Sequence, residues 1–488
     1  MACARRHGWL WRLGREQGGN VATLFALTLV PLIAGTGLAI DSMLAFTVEE
    51  RLQKALDAAG LAAGRTTDPS NIVADARSFF HTNFDDRTAY GSAGDPTVTV
   101  TDDADGQTIT LTGSATSPTH FMRIFGIKEI TVGARSEIRR ATRGVELVMV
   151  LDNTYSMMSS SKITGLKTAA NDMLDILFGN NETVRNLWVG LVPYIAAVNV
   201  GTGNTGFLAA TDRVRQATNA YAPESWGGCV IARAAPRDQN DDPPGTAPFS
   251  SYLYPVVSYS GLSASLLNTW PPVDRREAVQ NGIPYRVGDS PNAGCPTPIV
   301  PLISRKSTLK AAIAGLRPEE RGGTITSEGI AWGWRAISPR WRGLWAGGTA
   351  TLPLDYGTRN MDKVMVVLTD GDNQLLVTQL SSGGFLSPYA AYESFTSLGV
   401  VARSASQATS ADLDEIDKRT TAVCTAIKAK GIKIYTITFG SAPSTRGQNL
   451  MRGCATATSM YFHSPDNATL RTVFRKIGNE LANLRIAR

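Results

Sequence analysis

Asp152, Thr154 and Ser156 place a carboxylate and two hydroxyls on alternate residues, directly after the apolar run Val145 to Leu151. Oxygens of that mixture suit a hard divalent cation, which is held by carboxylates, hydroxyls and water. A continuous Val/Ile/Leu run reads as a strand buried on both faces of a parallel sheet, and in open α/β sheets ligands sit beyond the carboxyl ends of the strands. Two later segments offer further parts of such a site. Gly322-Gly323-Thr324 puts a hydroxyl after a glycine pair that lets backbone approach an ion closely, and Thr369-Asp370-Gly371 follows a second apolar run, Val364 to Leu368. A plainer use of Asp152 and Ser156 is to cap the helix after the strand.

The elements that must position these residues alternate in kind. Lys162 to Leu177 has helical spacing, Trp188 to Val192 reads as a strand, Thr421 to Ala429 as a helix and Ile432 to Phe439 as a strand. That alternation predicts a doubly wound parallel sheet across residues 143–488. Leu470, Phe474, Ile477, Leu481 and Leu484 mark an amphipathic closing helix, with Arg471, Arg475 and Lys476 on a solvated face. Two insertions interrupt the pattern, near 200–310 and 383–412. Tyr221 to Pro301 carries 13 of the 24 prolines, with Trp226 and Trp270. Long ordered insertions tend to be functional; aromatics there serve either a recognition surface or a small core of the insertion's own.

Val21 to Ile40 is a run of 20 residues without a charge. At the helical rise it spans a hydrocarbon core of ~30 Å. It exceeds the ~7 to 15 apolar residues of a usual signal peptide, which favours a retained anchor. Arg5, Arg6, Arg12 and Arg15 lie in the preceding tail, 1–20, and are expected on the cytoplasmic side. Everything from Asp41 onward is then expected across the membrane. Val48, Leu52, Leu56, Ala59 and Ala63 continue a helix, and Thr97 to Thr101 and Thr108 to Thr112 alternate as a hairpin through Asp105-Gly106. Ile130 to Ile138 adds a third strand, giving a small α+β unit over 41–142.

The balance of 48 Lys+Arg against 42 Asp+Glu is a net +6, too dilute over 488 residues to indicate nucleic acid. Cys3 falls in the tail. Cys229, Cys295, Cys424 and Cys454 remain for an oxidising compartment, where an even number suggests two disulfides. Of the three connectivities, Cys229 with Cys295 and Cys424 with Cys454 keep each pair within one segment.

In chain order the three oxygen-bearing segments resemble the metal-ion-dependent adhesion site of von Willebrand factor A domains, whose pattern is Asp-x-Ser-x-Ser with a distant Thr and a distant Asp. The resemblance implies Asp152, Thr154, Ser156, Thr324 and Asp370 as ligands of Mg²⁺, or of Ca²⁺, with a partner's carboxylate replacing one bound water. Thr154 stands where the pattern has Ser; it keeps the hydroxyl and adds a methyl that restricts its rotamers.

The chain as a whole resembles the TadG-like branch of the Flp/Tad pilus-assembly family. The segments that carry this are Gly19-Asn20-Val21-Ala22, Phe25-Ala26-Leu27, Leu56-Asp57-Ala58-Ala59, Trp226-Gly227-Gly228-Cys229-Val230, Gly322-Gly323-Thr324, Trp332-Gly333-Trp334-Arg335, Ile434-Tyr435-Thr436-Ile437 and Tyr461-Phe462. It implies a single-pass protein of the bacterial inner membrane, N-terminus cytoplasmic and bulk periplasmic, built of a pilin-like unit and a von Willebrand factor A domain. The implied partners are pilus-assembly proteins or adhesion ligands bearing a carboxylate. Cleavage after Gly19 would set Leu24 at the fifth position, where pilins carry Glu, which argues against prepilin processing. The alternatives are a structural brace of the pilus machinery whose metal site has decayed, and a metal-dependent extracytoplasmic hydrolase. Against catalysis, His7, His81, His120 and His463 are scattered, and neither H-E-x-x-H nor G-x-S-x-G occurs.

Overall fold

The computed structural model describes residues 19–66, 71–84, 91–102, 106–140, 143–217, 221, 224–253, 276–280, 282–287, 291–319, 323–375, 378–379, 385–386, 389–394, 410–441 and 443–486. The tail arginines, Cys3, Asp105, Trp270, Gly322 and most of 383–412 lie outside them. The chain divides into two compact units, residues 1–142 with 486–488, and 143–485.

In the first unit, helix α1 (Gly19–Arg65) is followed by α2 (Ile72–Asn83) and strands β1 (Ser92–Ala93), β2 (Thr97–Asp102), β3 (Gln107–Pro118) and β4 (Glu129–Arg140). All the strand pairings are antiparallel, with β3 between β4 on one side and β1 and β2 on the other. The core is the stripe Val48, Leu52, Leu56, Ala59 and Ala63 of α1, closed by Ile72, Ala76 and Phe80 of α2 and by Ile109, Leu111 and Ala115 of β3. Helical spacing on α1 and alternation on β3 bring these residues to one side each. The other end of α1 is long and apolar enough to cross a membrane, with a mean hydropathy of 2.0 over its most apolar stretch and 6% of that stretch buried.

The second unit begins with β5 (Gly144–Asp152), α3 (Lys162–Phe178) and β6 (Leu187–Tyr194), then β7 (Val198–Asn199), α4 (Ala210–Ala217), β8 (Cys229–Val230) and the hairpin β9 (Arg276–Gln280) and β10 (Ile283–Val287). It returns through β11 (Val300–Ile303), α5 (Lys306–Gly315), β12 (Gly323–Thr324), α6 (Thr326–Ile337), β13 (Met361–Thr369) and β14 (Gln374–Leu375). Two short hairpins follow, β15 (Thr378–Gln379) with β16 (Phe385–Leu386) and β17 (Tyr389–Ala390) with β18 (Glu393–Ser394). The unit ends with α7 (Ser410–Ala429), β19 (Lys433–Phe439), α8 (Thr445–Cys454), β20 (Tyr461–Ser464) and α9 (Asn467–Ile486).

The main sheet runs β20-β19-β13-β5-β6, with β11 against β6 at the other edge. The pairs β20/β19, β19/β13, β13/β5 and β5/β6 are parallel, as the buried runs predicted. The β11 edge departs from an all-parallel sheet. It pairs antiparallel because the chain re-enters from its insertion at the end where β6 finishes, and Pro301 gives it a pattern no periodicity reveals. Alternate residues of the strands point to opposite layers. Val148, Val150, Met365 and Val367 meet α6 and α7, whereas Leu147, Met149, Leu151, Val366 and Leu368 meet α3, α5 and α9.

The first insertion packs inward. Phe249 lies 4.8 Å from Trp332 between ring centroids, Phe207 stacks edge-on against Trp341 and Trp345, and Trp226 is buried with its Nε1 donating to the Cys229 carbonyl. These aromatics form a core and not a recognition surface. Cys229 is bonded to Cys295 across the insertion, and Cys424 to Cys454 between α7 and α8. On α9, Arg471 and Arg475 both donate to Asp172 of α3, at 2.9 and 3.0 Å, with their side chains still 43% and 53% exposed, so the expected solvated face is also tied to a neighbour.

Glu146 interrupts the apolar run of β5 and is buried against Lys363 of β13, whose ammonium also donates to the Ile337 carbonyl at 3.0 Å. The other Glu146 oxygen accepts from Leu354 N at 2.7 Å. Removing one member of such a pair leaves the other charge stranded, at a cost of about 3–5 kcal/mol. Glu146→Ala is expected to lower the thermal midpoint sharply, and Glu146→Met with Lys363→Met to recover most of the loss; equal destabilisation by single and double variants would contradict the assignment.

Candidate metal centre

β5 and β13 are the strands at which the chain reverses its direction of travel across the sheet, β6 and β11 being laid on one side and β19 and β20 on the other. Their carboxyl ends border the crevice where α/β sheets of this kind bind ligands. Asp152 closes β5, and Asp370 stands one residue beyond β13; the two strands are in register at Leu151 and Leu368.

After Asp152 the backbone turns immediately. Thr154 N donates to Asp152 Oδ1 at 2.8 Å, a local turn of the kind Asp favours. Asn153 N donates to the Tyr194 carbonyl at 2.8 Å, and Glu319 N to the Asn153 carbonyl at 3.0 Å, which fastens the segment between neighbouring loops. A 3-10 turn over Tyr155–Ser161 follows, and Ser160 and Ser161 both have a φ of 52° before α3 begins at Lys162. Neither Asp152 nor Ser156 caps α3, and the turn that Thr154 opens has no side-chain cap. The capping reading therefore gives way to a tertiary one.

The side chains form one continuous chain of contacts from strand to strand. Thr369 Oγ1 donates to Asp152 Oδ2 at 3.0 Å, and Thr154 Oγ1 donates to Asp152 Oδ1 at 2.6 Å. The Thr154 and Ser156 hydroxyl oxygens lie 2.9 Å apart, and Ser156 Oγ donates to Asp370 Oδ1 at 2.6 Å. Lys162 Nζ completes the chain on Asp370 Oδ2 at 2.8 Å. Four of the five expected ligands are thus brought together. Thr324 is buried in β12, paired opposite Gln374, which places its loop beside the segment after Asp370. It takes no part in this network among the described residues.

Asp152 is fully buried, and its carboxyl is pushed up to about 7, by burial first and then by the nearby charge of Asp370, against the hydroxyl and N–H donors of Thr154 and Thr369. The donor set fits a small hard divalent cation: the side-chain polar atoms of Asp152, Thr154, Ser156 and Asp370 are all oxygens, and Asp152 is ionised only at a cost that positive charge would offset. Among the described residues no group of three or more His, Cys, Asp or Glu is placed to hold a metal. A cation here would therefore rest on two carboxylates, hydroxyls and water, the incomplete shell that Mg²⁺ favours.

Thr369 and Lys162 are the site residues that sequence reasoning missed. By sequence Thr369 is only the residue following the run Val364 to Leu368, whereas in the fold it is the last residue of β13. Lys162 appeared only as the start of a helical stretch. Its ammonium passes the Cα of Gly440, at the end of β19, where a Cβ would lie 3.3 Å from Nζ and 3.2 Å from Cε. Gly440 has a φ of 114° and so needs to be glycine on backbone grounds as well.

A parallel sheet with one antiparallel edge, carrying Asp-x-Thr-x-Ser and a second Asp at its switch point, is a doubly wound α/β domain of the kind that the resemblance to von Willebrand factor A domains implies. At the other end of the chain, residues 19–66 match the family model described as "Putative Flp pilus-assembly TadE/G-like", so the chain is TadE/G-like at its N-terminus. No curated protein matches the chain significantly. Among solved structures, the von Willebrand factor domain of the type V pili tip protein Mfa5 from Porphyromonas gingivalis is similar at 12% identity and a TM-score of 0.35, covering 71% of this chain and 98% of that one. The pilus adhesin SpaC from Lactobacillus rhamnosus GG is similar at 9% identity and a TM-score of 0.35, over 79% of this chain and 33% of that one. Proximal thread matrix protein 1 from the mussel byssus, in a form whose metal-ion-dependent adhesion motif holds zinc, is similar at 10% identity and a TM-score of 0.30, over 70% of this chain and 46% of that one.

A hydrogen bond to a charged group contributes about 1.5–3 kcal/mol. Thr369→Val keeps the side-chain shape and removes the hydroxyl on Asp152, so thermal unfolding of the variant is expected to fall by a stability loss of that size. An unchanged midpoint would show that Thr369 does not support the carboxylate.

Proposed function

We propose that this chain is a membrane-anchored Tad/Flp pilus-assembly component that binds protein partners or surfaces through a metal-ion-dependent adhesion site. The single observation that carries this is the unbroken run of oxygen contacts from Asp152 through Thr154 and Ser156 to Asp370 at the sheet's switch point. Asp152 would anchor a Mg²⁺, or a Ca²⁺, with its charge. Thr154 and Ser156 would be hydroxyl ligands, Asp370 a ligand directly or through water, and Thr324 a ligand on a loop that approaches from β12. When bound, the cation supplies an open coordination position for a carboxylate of the partner. The chain's own residues orient the donors: Thr369 and Thr154 N hold the Asp152 carboxylate, and Ser156 holds Asp370. The function so proposed is binding. The anchor is the apolar part of α1, placed across the bacterial inner membrane with the bulk of the chain periplasmic.

One observation favours a second reading, a brace of the pilus machinery without a resident metal. Lys162 already brings a positive charge to Asp370, with its side chain 16% exposed. An ammonium and a divalent cation compete for the same carboxylate, so the two readings differ in what Lys162 does.

Isothermal calorimetry on the full chain separates them. Wild-type protein is expected to bind Mg²⁺ and Asp152→Ala to lose that binding; Lys162→Met is expected to bind Mg²⁺ more tightly than wild type. Wild-type protein that takes up no divalent cation, with Lys162→Met acquiring none, would replace the adhesion reading by the brace. The same Asp152→Ala variant is expected to reduce pilus-dependent surface attachment, scored by counting adherent cells.

A further inference from the structure

Near the end of its apolar stretch, α1 holds a short segment of its own unit. Asp41, 1% exposed, accepts the backbone N–H groups of His120, Phe121 and Met122 at 2.9, 3.0 and 2.7 Å. One turn earlier, Gly37 lies under Phe121; a Cβ there would come 2.5 Å from Phe121 Cβ and 2.8 Å from its Cγ. Only a hydrogen fits, so glycine is what admits the ring. Gly37 belongs to the charge-free run Val21 to Ile40, and four helical residues separate it from Asp41, about 6 Å along the axis. Segment 119–128 therefore lies beside the last turn of that run and not beyond it.

The segment exposes a cluster of large apolar side chains. Phe121 is 36% exposed, Ile124 78%, Phe125 63% and Ile127 43%, with Arg123 and Lys128 exposed among them. Helix α1 leaves Met43 and Phe46 open just past Asp41. The segment's backbone is closed on itself. Ile124 N donates to the Phe121 carbonyl at 3.1 Å, Gly126 N to Arg123 at 3.1 Å, Ile127 N to Met122 at 3.2 Å and Thr119 N to Lys128 at 3.0 Å, while Thr119 Oγ1 donates to the Ile127 carbonyl. Internal satisfaction of this kind is what a backbone needs where water is scarce.

We propose that residues 119–128 form an interfacial wedge, with Phe121, Ile124, Phe125 and Ile127 entering the headgroup and acyl boundary of the leaflet through which α1 leaves the membrane. Arg123 and Lys128 then lie at the level of the lipid phosphates, where basic side chains are favoured. The occupant is lipid because the patch is continuous with the apolar run of α1 through the Gly37–Phe121 contact. Asp41 is tolerated at that depth because its charge is met by three N–H groups. The wedge rests on the reading of α1 as a membrane span, and it adds a second point of attachment that fixes the depth and tilt of that helix.

The test uses the full chain with Cys3→Ser, reconstituted in phosphatidylcholine and phosphatidylglycerol vesicles. An environment-sensitive fluorophore is attached at Leu29→Cys, Ile124→Cys or Gly94→Cys in turn, and its emission is quenched by lipids spin-labelled near the headgroup or near the bilayer centre. The probe at 29 is expected to lose most emission to the deep label, the probe at 124 to the shallow label, and the probe at 94 to neither. An unquenched probe at 29 overturns the membrane span itself. Quenching at 29 without quenching at 124 overturns the wedge alone: water-like emission at 124 then means a solvated loop, and blue-shifted emission means a protein, such as a second copy, covering the patch.

Discussion

Two carboxylates on the ends of adjacent parallel strands are the constraint around which the second unit is organised. Asp152 is fully buried and Asp370 nearly so, and like charges at short range in a poorly polarisable medium repel strongly. The surrounding sequence meets that repulsion with hydroxyls instead of bulk charge. Thr369 and Thr154 hold one carboxylate, Ser156 links it to the other, and Lys162 contributes a formal positive charge.

Much of this was legible in the residues themselves. The runs Val145 to Leu151 and Val364 to Leu368 had to be buried on both faces, which made them neighbours in a parallel sheet and put Asp152 and Asp370 at one edge. The stripe on α1 was equally plain, since 3.6-residue spacing has one interpretation when it is kept up from Val48 to Ala63. Other features depended on three-dimensional return paths that no local pattern encodes. Lys162 reaches Asp370 only because two successive serines adopt left-handed backbone, and serine does not announce that conformation. Arg471 and Arg475 belong to an amphipathic helix whose polar side could face water alone or also hold a neighbour; Asp172, some three hundred positions earlier, decides it. The edge strand β11 is four residues with a proline, too short to carry any period.

Charge is used inside the second unit as well as at its crevice. Arg335 is fully buried over Phe249 and Trp332, and donates to the carbonyls of Arg237 and Asp238 at 3.2 Å. Arg419 of α7 and Tyr392 both reach the Asp238 carboxylate, at 2.5 and 3.0 Å. The first insertion is therefore held to α6 and α7 by directional polar contacts that specify one seating. Hydrophobic contact alone would tolerate several. This seating matters to the crevice, because α6 starts at Thr326, two residues after Thr324.

The bond between Cys229 and Cys295 closes a stretch of chain 66 positions long at its neck. The residues between the two half-cystines that seat the insertion, Phe249 on Trp332 and Asp238 on Arg419, therefore sit on a loop whose ends cannot drift apart. The covalent neck thus fixes where the excursion leaves and rejoins the sheet, apart from the crevice at the ends of β5 and β13.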